Sequence, residues 1–434
     1  MIAAYIFLAI AAIPFVYYLI AIYSSWRFFN RPLQAPDRQF SPPVSILKPC
    51  RGLDPEAYEN LSSFCRQDYP NYEIVFCVDS NDEAVISVID RLKESFPERR
   101  IRVLYGSGRI ATNDKVAKLA RLVEEAEHEV VVISDSDVRV RPDYLRRVIT
   151  PLKGPEVGAV TCFYAPTRID TFTDHLQTAG MTSDFYAGVL VAWQLDGIKF
   201  ALGTTIATTR SRLAAFGGYE SIENQPADDL LVGRLIADQG YEVVLLPYVI
   251  ETVPDYHSMG ALLHKRSRWL VVMRHMRPSG HFGLLFTQGL AWSLAAIVAH
   301  PSAGVAFGYL GAYYCLRVAM TWMIGIRGLK QRRFWKQMPL IPLWDSIAFC
   351  IWLASFLRNT IRWRGADYYI RDGKLVPVAA AGSPKTVVIR QPEPHRKAPS
   401  TRPRPVVHRS VPEELASPVA FPGQSSPPRR AQRS

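Results

Sequence analysis

Long apolar runs lie near both ends of the chain, and between them short apolar runs alternate with amphipathic stretches. From residue 44 to about 253 the short runs have the length of buried strands, and the amphipathic stretches have a helical period. This alternation predicts βαβ units and a mainly parallel sheet. The predicted strands are Val44–Leu47, Glu73–Val78, Ile101–Tyr105, Val130–Ser134, Val157–Cys162 and Val243–Leu246. The predicted helices are Ala84–Phe96, Val116–Ala126, Pro142–Leu152 and Asp229–Gln239.

The first long apolar run, Ile2–Ile22, is almost uncharged and long enough to cross a membrane as a helix. A cleavable signal peptide has positive charge before its apolar run and a small-residue cleavage site after it, and neither is found here. The run therefore predicts an uncleaved anchor. Arg27, Arg31 and Arg38 follow the anchor, so the positive-inside rule predicts that the next domain is cytoplasmic.

Three further apolar runs follow the alternating region. Leu284–Ala299 and Val305–Ile324 predict a membrane hairpin, and the basic loop at residues 327–333 predicts a return to the cytoplasm. The third run, Met338–Leu357, contains two prolines and Asp345. Both a full span and a re-entrant or interfacial segment remain open for this run.

Composition agrees with a membrane protein that carries a globular insert. Hydrophobic residues make up 48% of the 434 residues, and the net charge is +12. Much of the basic excess lies beside apolar segments or in the last 50 residues, which favours anionic lipid head groups over nucleic acid as the partner. Six cysteines without metal-ligand spacing favour a reduced compartment. The predicted parts are a membrane anchor at 1–26, a catalytic domain at 40–280, a membrane region at 281–376 and a disordered basic, Pro-rich tail at 379–434.

The apolar run that begins at Val130 ends abruptly in two carboxylates, Asp135 and Asp137. Ligands of open α/β sheets bind just beyond the carboxyl ends of strands. Two carboxylates at such a point suit a divalent cation, which in turn suits a diphosphate. The alternative is an ordinary acidic turn.

Two polar clusters at other strand or helix ends could belong to the same site. Asp79 and Asp82 follow the second predicted strand, where they would either cap the next helix or accept hydrogen bonds from a base or ribose. Lys115 lies at the start of a predicted helix, which is a suitable position for binding a phosphate and also a common one for an exposed lysine.

Two more clusters lie towards the membrane region. Asp228 and Asp229 open a helix, where acidic residues are favoured by the helix dipole and where one of them could act as a general base. Lys265, Arg268 and Trp269 belong to a basic stretch before the hairpin. That stretch would either lie at the lipid head groups or hold a diphosphate leaving group.

Taken in chain order, these clusters resemble the D, D, D, (Q/R)xxRW pattern of family 2-like glycosyltransferases with a GT-A fold. Further segments, including Val-Ser-Ile-Leu-Lys-Pro at 44–49 and Gln-Asp-Tyr-Pro at 67–70, are similar to the ceramide glucosyltransferase family, GT21. Bacterial hopanoid-associated glycosyltransferases belong to the same group. The resemblance extends from the anchor to Trp-Arg-Gly at 363–365 and does not include the tail.

The resemblance implies an α/β, Rossmann-like GT-A domain between membrane helices, in a bacterial inner membrane. It implies an inverting transfer of a hexose, glucose first, from a UDP-sugar to the primary hydroxyl of a membrane lipid, ceramide first, with Mg²⁺ or Mn²⁺ as cofactor. The implied site residues are Asp79 and Asp82 at uridine with Lys115 nearby, Asp135 and Asp137 at the metal and diphosphate, Asp228 and Lys265 at the substrate, Asp229 as base, and Arg268 and Trp269 at the diphosphate and acceptor.

Three departures from the family pattern bear on the substrate. Lys265 stands where the last motif has Gln or Arg, Glu83 follows Asp82 where a second Asp is expected, and the region near Asp184 lacks an expected His. Other functions therefore remain open. They are a hopanoid N-acetylglucosaminyltransferase or diacylglycerol glycosyltransferase, a polyprenyl-phosphate sugar transferase or polysaccharide synthase, and a non-catalytic lipid-binding membrane protein.

Overall fold

Residues 40–254 build an eight-stranded mixed sheet with helices on both faces. The computed structural model describes residues 2–254, 258–331, 334–363 and 366–378. The predicted disordered tail and part of the predicted basic loop lie outside these residues. The strands are β1 Val44–Pro49, β2 Tyr72–Val78, β3 Arg100–Tyr105, β4 Val130–Ile133, β5 Val138–Arg139, β6 Val157–Pro166, β7 Ile206–Thr209 and β8 Glu242–Thr252. Their order in the sheet is β3-β2-β1-β4-β7-β6-β8-β5.

The sheet is mainly parallel, as the sequence pattern predicts. Strands β3, β2, β1 and β4 run parallel to one another, and β6 runs parallel to β8. Strand β7 is antiparallel to both of its neighbours, and β5 is antiparallel to β8. Strands β1 and β2 are continuous apolar runs because both faces are covered: Leu47 and Val75 lie in one hydrophobic core, and Ile46 and Ile74 lie in the other.

The helices surround the sheet and continue into the membrane region. The α-helices are Ile2–Ala11, Ile13–Phe29, Ala57–Cys65, Glu83–Ser95, Asp114–Glu125, Tyr144–Ile149, Phe172–Gly180, Tyr186–Asp196, Arg210–Ala215, Asp228–Asp238, Met259–Met276, Pro278–Gly283, Gly289–Ala299, Ala303–Trp322 and Ile341–Leu357. The π-helical turns are Met181–Phe185 and Met323–Gly328. The 3₁₀ turns are Thr150–Lys153, Tyr219–Ile222, Leu284–Thr287, Phe334–Lys336 and Met338–Leu340.

The largest differences from the predicted strands are in β7 and β8. Strand β7 was absent from the prediction because Ile-Ala-Thr-Thr is too short to show a period, and its position depends on pairing with β4 and β6. Strand β8 was predicted to stop at Leu246. It continues to Thr252 because Pro247 lies in an irregular part of the β6–β8 pairing, where a proline needs no ladder hydrogen bond.

Two helical segments of the described chain are long and apolar enough to cross a membrane, Ile2–Phe29 and Phe334–Leu357. Pro278–Thr287 and Gly289–Ala299 form a pair bent by 57°, which adds a third candidate if the pair is one broken span. The predicted hairpin is therefore helical, and its second arm, Ala303–Trp322, is not among these candidates.

The first apolar helix packs against both the membrane region and the sheet domain. The Tyr18 hydroxyl donates to the carbonyl of Thr287 at 2.9 Å and accepts from the Gly289 amide at 3.0 Å. A Cβ atom at Gly289 would lie 2.5 Å from that hydroxyl, so only glycine allows this approach. Further along the helix, Phe28 meets Phe163 of β6 edge to face, with ring centroids 5.5 Å apart.

A second sheet follows the last apolar helix and was not predicted from the sequence. Strands β9 Thr360–Trp363, β10 Ala366–Arg371 and β11 Lys374–Pro377 form an antiparallel meander. Ile361 and Leu375 of this sheet pack against Val271 of the helix Met259–Met276. The sheet thereby connects the end of the membrane region to the sheet domain.

Candidate functional site

A cavity of about 960 Å³ extends from the carboxyl ends of the central strands to the membrane helices. Of the ten residues that the sequence assigns to the site, eight line this cavity. They are Lys115, Asp135, Asp137, Asp228, Asp229, Lys265, Arg268 and Trp269. The fold thus brings together groups from four separate sequence clusters.

A buried lysine on β1 fixes the turn that carries the two central carboxylates. Lys48 Nζ donates to Ser134 Oγ at 3.1 Å and to the Asp135 carbonyl oxygen at 2.7 Å, and it lies 3.4 Å from the centroid of the Phe64 ring. Burial lowers the pKa of Lys48 to about 7, and nearby acidic groups oppose this effect. Lys48 belongs to the strand motif at 44–49, but no role was predicted for it.

Lys115 joins the strand β4 turn to the helix Asp228–Asp238. Its ammonium lies 2.8 Å from Asp135 Oδ1 and 3.1 Å from Asp228 Oδ2. Burial alone would lower the pKa of Lys115, but Asp135, Asp228 and Asp229 raise it well above the ordinary lysine value. In this structure Lys115 therefore holds two carboxylates together, and its place near uridine stays a prediction.

Asp137 lies beside other carboxylates at the end of strand β4. Burial raises its pKa to about 7, and Asp135 and Asp54 add to this effect while Lys265 and Lys48 oppose it. Among the described residues, no ion pair or hydrogen bond engages the Asp137 carboxylate, whereas Lys115 engages Asp135. Several carboxylates around a position with too little positive charge fit a divalent cation, which prefers oxygen ligands.

Asp229 is held by backbone amides at the start of its helix. Its Oδ2 accepts from the Gly203 amide at 3.0 Å, and its Oδ1 accepts from the Leu230 amide at 2.8 Å. Burial and then Asp228 raise the pKa of Asp229 to about 6, while Lys115 lowers it. The Gly203 contact was missed from the sequence, because it joins residues 26 positions apart.

Asp79 and Asp82 do not line the cavity. Asp79 pairs with the buried Lys118 at 2.8 Å, and Asp82 accepts from the Gly52 amide at 2.6 Å. Asp82 is the N-cap residue of the helix Glu83–Ser95, but its side chain makes no capping hydrogen bond to that helix. Both carboxylates instead connect the end of β2 to neighbouring segments beside Arg51, which does line the cavity.

The basic motif lies on the helix Met259–Met276, beside the carboxylates. Lys265 Nζ is 5.5 Å from the Trp269 ring centroid, one helical turn along. The Arg266 guanidinium lies 5.0 Å from the centroids of both Trp269 and Trp344. Arg268 lies 5.3 Å from the Trp363 ring centroid in the second sheet. The motif therefore links the carboxylate side of the cavity to aromatic rings of the last apolar helix and of the second sheet.

The membrane end of the cavity contains a buried arginine that the sequence analysis did not single out. Arg317 Nε and Nη2 donate to the two oxygens of Asp345 at 3.0 and 2.6 Å, and Nη1 donates to the Ser183 carbonyl at 2.5 Å. Arg317 also pairs with Asp184, which accepts from Trp344 Nε1 at 2.5 Å. A charged residue within an apolar run is a sign in the sequence that Arg317 has a special role. Its partners could not be predicted, because Asp345 and Asp184 lie 28 and 133 positions away.

Comparison with known proteins identifies the family. The sequence profile described as "Glycosyl transferase family 21" matches residues 6–376. Ceramide glucosyltransferase 3 of Caenorhabditis elegans is 24% identical over 391 residues, which are 85% of this chain and 83% of the relative. A beta-monoglucosyldiacylglycerol synthase of Synechocystis sp. is 26% identical over 72% of this chain and 62% of the relative.

A solved structure supports the fold. The mannosyltransferase PcManGT from Pyrobaculum calidifontis, in complex with GDP-Man and Mn²⁺, superposes with a TM-score of 0.51 at 22% identity, covering 81% of this chain and 98% of that one. This likeness confirms the predicted GT-A architecture. The profile match over nearly the whole described chain, with the motif clusters converging on one cavity, makes the protein a member of glycosyl transferase family 21.

Proposed function

We propose that this family 21 enzyme is an inverting glycosyltransferase that moves a hexose from a UDP-sugar to the primary hydroxyl of a membrane lipid. Glucose and ceramide are our first choices for sugar and acceptor. The observation that carries the proposal is the single cavity that contains the carboxylate clusters at one end and residues of the membrane helices at the other. A water-soluble donor and a lipid acceptor could meet in such a cavity.

The donor end of the cavity fits a divalent metal. Asp137, with Asp135 beside it, would hold Mg²⁺ or Mn²⁺, since the positive charge offered to Asp137 by the protein is too small to balance its surroundings. A bound cation would neutralise charge on the diphosphate of the donor. Lys115 keeps Asp135 in a fixed orientation through the 2.8 Å ion pair. Chelation with EDTA is therefore expected to abolish transfer, and added Mg²⁺ or Mn²⁺ to restore it.

Asp229 is the proposed general base. Two backbone amides fix its carboxylate, and a pKa raised to about 6 makes it a stronger base than an ordinary aspartate. It would take the proton of the lipid hydroxyl while the hydroxyl oxygen attacks the anomeric carbon. The bond to the diphosphate oxygen breaks in the same step, so UDP leaves and the configuration at the anomeric carbon inverts.

Positive charge beside the base suits the departing diphosphate. Lys265 and Arg268 both line the cavity, and Lys265 is close enough to Asp137 to influence its pKa. We propose that these two cations stabilise the charge that develops on UDP, with Trp269 between them and the acceptor. Asp79 and Asp82 remain predicted uridine contacts, which would require the donor to extend past Arg51.

The proposed location is the cytoplasmic face of a bacterial inner membrane, since Arg27, Arg31 and Arg38 follow the first apolar helix. The bilayer would then bring the acceptor to the cavity by diffusion in two dimensions. The named relatives act on two lipid classes by their printed names, ceramide and a diacylglycerol. A diacylglycerol glycosyltransferase is therefore the second candidate, and a hopanoid N-acetylglucosaminyltransferase is an alternative that rests on the sequence resemblance alone.

Membranes containing the protein, incubated with labelled UDP-sugars and a panel of ceramide, diacylglycerol and hopanoid acceptors, test the proposal. A labelled lipid that carries one sugar is the expected product. A sugar polymer would instead indicate a polysaccharide synthase, and a labelled polyprenyl phosphate would indicate a polyprenyl-phosphate sugar transferase. The absence of any product with every donor would indicate a non-catalytic lipid-binding protein and would contradict the proposal.

A further inference from the structure

The cavity wall contains buried polar atoms that no protein group satisfies. Among the described residues, Ser183 Oγ, Thr204 Oγ1 and Gln331 Oε1 are buried without a hydrogen-bond partner. All three side chains line the cavity, and their residues are at most 8% exposed. Polar atoms of this kind destabilise a protein unless a ligand or water satisfies them. They therefore indicate where a bound molecule forms hydrogen bonds.

Gln331 lies beside the π-helical turn that carries Ser183, at the membrane end of the cavity. A methyl group at Gly325 would meet Gln331 Oε1 at 3.3 Å and Thr182 Cγ2 at 3.5 Å, so Gln331 lies beside the π-helical turn Met181–Phe185. Ser183 is the next residue of that turn. π-Helical turns inside α-helices are frequently found at functional sites because they change the direction of side chains.

Asp184, the following residue of the turn, faces the same space. Arg317 and Trp344 Nε1 each engage one of its oxygens, and its side chain is still 36% exposed in the cavity that it lines. Each carboxylate oxygen can accept a second hydrogen bond. Arg317 and Trp344 thus act as positioning residues that orient the carboxylate towards a ligand.

We propose that Ser183, Asp184 and Gln331 bind the head group of the acceptor lipid. This rests on the proposed transfer to a lipid. The carboxylate of Asp184 and the carbonyl oxygen of Gln331 only accept hydrogen bonds. Their ligand therefore carries at least one O–H or N–H donor besides the hydroxyl that attacks. An N-acyl sphingoid base or a polyol lipid has such a donor, and a diacylglycerol has none. Thr204, next to the Gly203 that binds Asp229, continues the polar wall towards the base.

Kinetics of Ser183→Ala and Gln331→Leu test this site in the full chain, reconstituted in phosphatidylcholine nanodiscs. With an N-acyl sphingoid base as acceptor, each variant is expected to raise the acceptor KM about threefold to tenfold, the value of one hydrogen bond, without changing kcat or the donor KM. Among the described residues, Ser183 Oγ and Gln331 Oε1 have no hydrogen bond to lose, so thermal stability should not fall. Ser346→Ala, at an exposed serine that donates to the Pro342 carbonyl of its own helix, is the matched control.

The two proposals fail in different ways. A wild-type protein that transfers sugar to no lipid overturns the proposed function and the head-group site with it. A wild-type protein that is active on a lipid, while Ser183→Ala and Gln331→Leu keep the wild-type acceptor KM, overturns only the head-group site. Equal activity of the wild type on diacylglycerol and on the N-acyl sphingoid base also overturns the site.

A separate observation concerns the last apolar segment, Phe334–Leu357. The chain before it lies at the C-terminal end of the first apolar helix, next to the sheet domain, because Arg327 donates to the Asn30 side chain at 3.5 Å and a Cβ atom at Gly328 would lie 2.3 Å from the Phe29 ring. The chain after it lies at the sheet domain, because the Leu375 amide donates to the Asn224 carbonyl at 2.7 Å. Arg274 of the basic helix additionally binds the end of the segment through the Phe356 carbonyl at 2.7 Å.

We infer that this segment enters and leaves the membrane on the side of the sheet domain, as a re-entrant or interfacial helix. Asp345 is compatible with that depth because Arg317 and Tyr313 satisfy its oxygens. The basic residues that follow are then on the same side as the basic loop, in agreement with the positive-inside rule. The alternative, a full span, would separate contacts that the structure has on one side.

Labelling of single cysteines with an impermeant maleimide tests this topology in the full chain, after the exposed Cys315 and Cys350 are replaced by alanine. Lys374→Cys in the second sheet and Glu94→Cys in the sheet domain are expected to react from the same side of the membrane. Ser302→Cys, between the two arms of the hairpin, should react from the opposite side. Reaction of Lys374→Cys from the side of Ser302→Cys overturns the inference.

Discussion

The two ends of the cavity differ in whether nearby groups of opposite charge compensate the buried charges. At the donor end, Asp137 has a pKa raised to about 7 and Asp229 one raised to about 6, because burial and neighbouring carboxylates exceed the effect of the lysines. At the membrane end, Arg317 is surrounded by two carboxylates and a carbonyl that satisfy its donors. This difference agrees with the proposal that the reaction takes place at the first end and that the second end positions the acceptor.

The largest effect on turnover is expected from neutralising the proposed base, Asp229. Asp229→Asn is expected to lower kcat by about 10²- to 10⁴-fold, because the amide keeps the shape but cannot accept the proton of the acceptor hydroxyl. Asp238→Asn, at the exposed end of the same helix, is the control and should keep wild-type turnover. Initial rates of UDP release in nanodiscs measure both. Unreduced turnover in Asp229→Asn would remove the residue from its proposed role.

At the membrane end of the cavity, replacing the buried Arg317 is expected to lower the stability of the protein. Arg317→Leu leaves Asp345 buried without its cation, which is expected to lower the free energy of unfolding by about 3–5 kcal/mol. Removing both charges, in Arg317→Leu with Asp345→Leu, should recover most of that loss. Thermal unfolding in detergent compares these variants with Arg327→Leu, a control at an exposed arginine. A double variant no more stable than Arg317→Leu would show that the pair is not the source of the effect.

The pH dependence of turnover tests the assignment of Asp229 as the general base. A base acts only when it is deprotonated, so a pKa raised to about 6 predicts that kcat/KM falls as the pH drops through about 6. Asp228 is one cause of the raised pKa, after burial. Asp228→Asn should therefore lower the pKa of Asp229 and move the acidic limb to lower pH. A limb that stays at the same pH in Asp228→Asn would indicate that another group controls it.

The smallest expected effect comes from the contact between Gly203 and the base. A Cβ atom at position 203 would lie 3.1 Å from Asp229 Oδ2, so the carboxylate must move by a few tenths of an ångström. Gly203→Ala is expected to lower kcat about tenfold through this misplacement. Gly304→Ala, where the added methyl meets nothing within 4 Å, is the control. Equal kcat values for the two variants would show that the position of Asp229 is not constrained by this glycine.

The same two regions differ in how far the sequence could predict them. Strands β1, β2 and β4 were visible as apolar runs because both faces of the sheet are covered, and the carboxylates at their ends followed from where ligands bind in such sheets. Asp135 and Asp137 line the cavity for that reason, whereas the other six assigned residues that line it lie on helices. Asp79 and Asp82 were assigned by the same rule but lie outside the cavity lining.

The membrane end was not predictable in the same way. Asp345 was visible in an apolar run, but its partner Arg317 is 28 positions earlier, and Asp184 is a further 133 positions before Arg317. No local period reports such pairing. The short strand β7 and the second sheet were missed for a related reason, since their existence depends on partners that are distant in sequence.

The anomeric configuration of the product tests directly whether the sugar is transferred by a single inverting displacement. The wild-type protein in nanodiscs, supplied with ¹³C-labelled UDP-glucose and an N-acyl sphingoid base, yields a glycolipid whose anomeric signals can be read by NMR. One base and a direct displacement predict inversion of the α-linked donor, and hence a β-linked product. An α-linked product would require a different mechanism and would contradict a direct displacement with a single base.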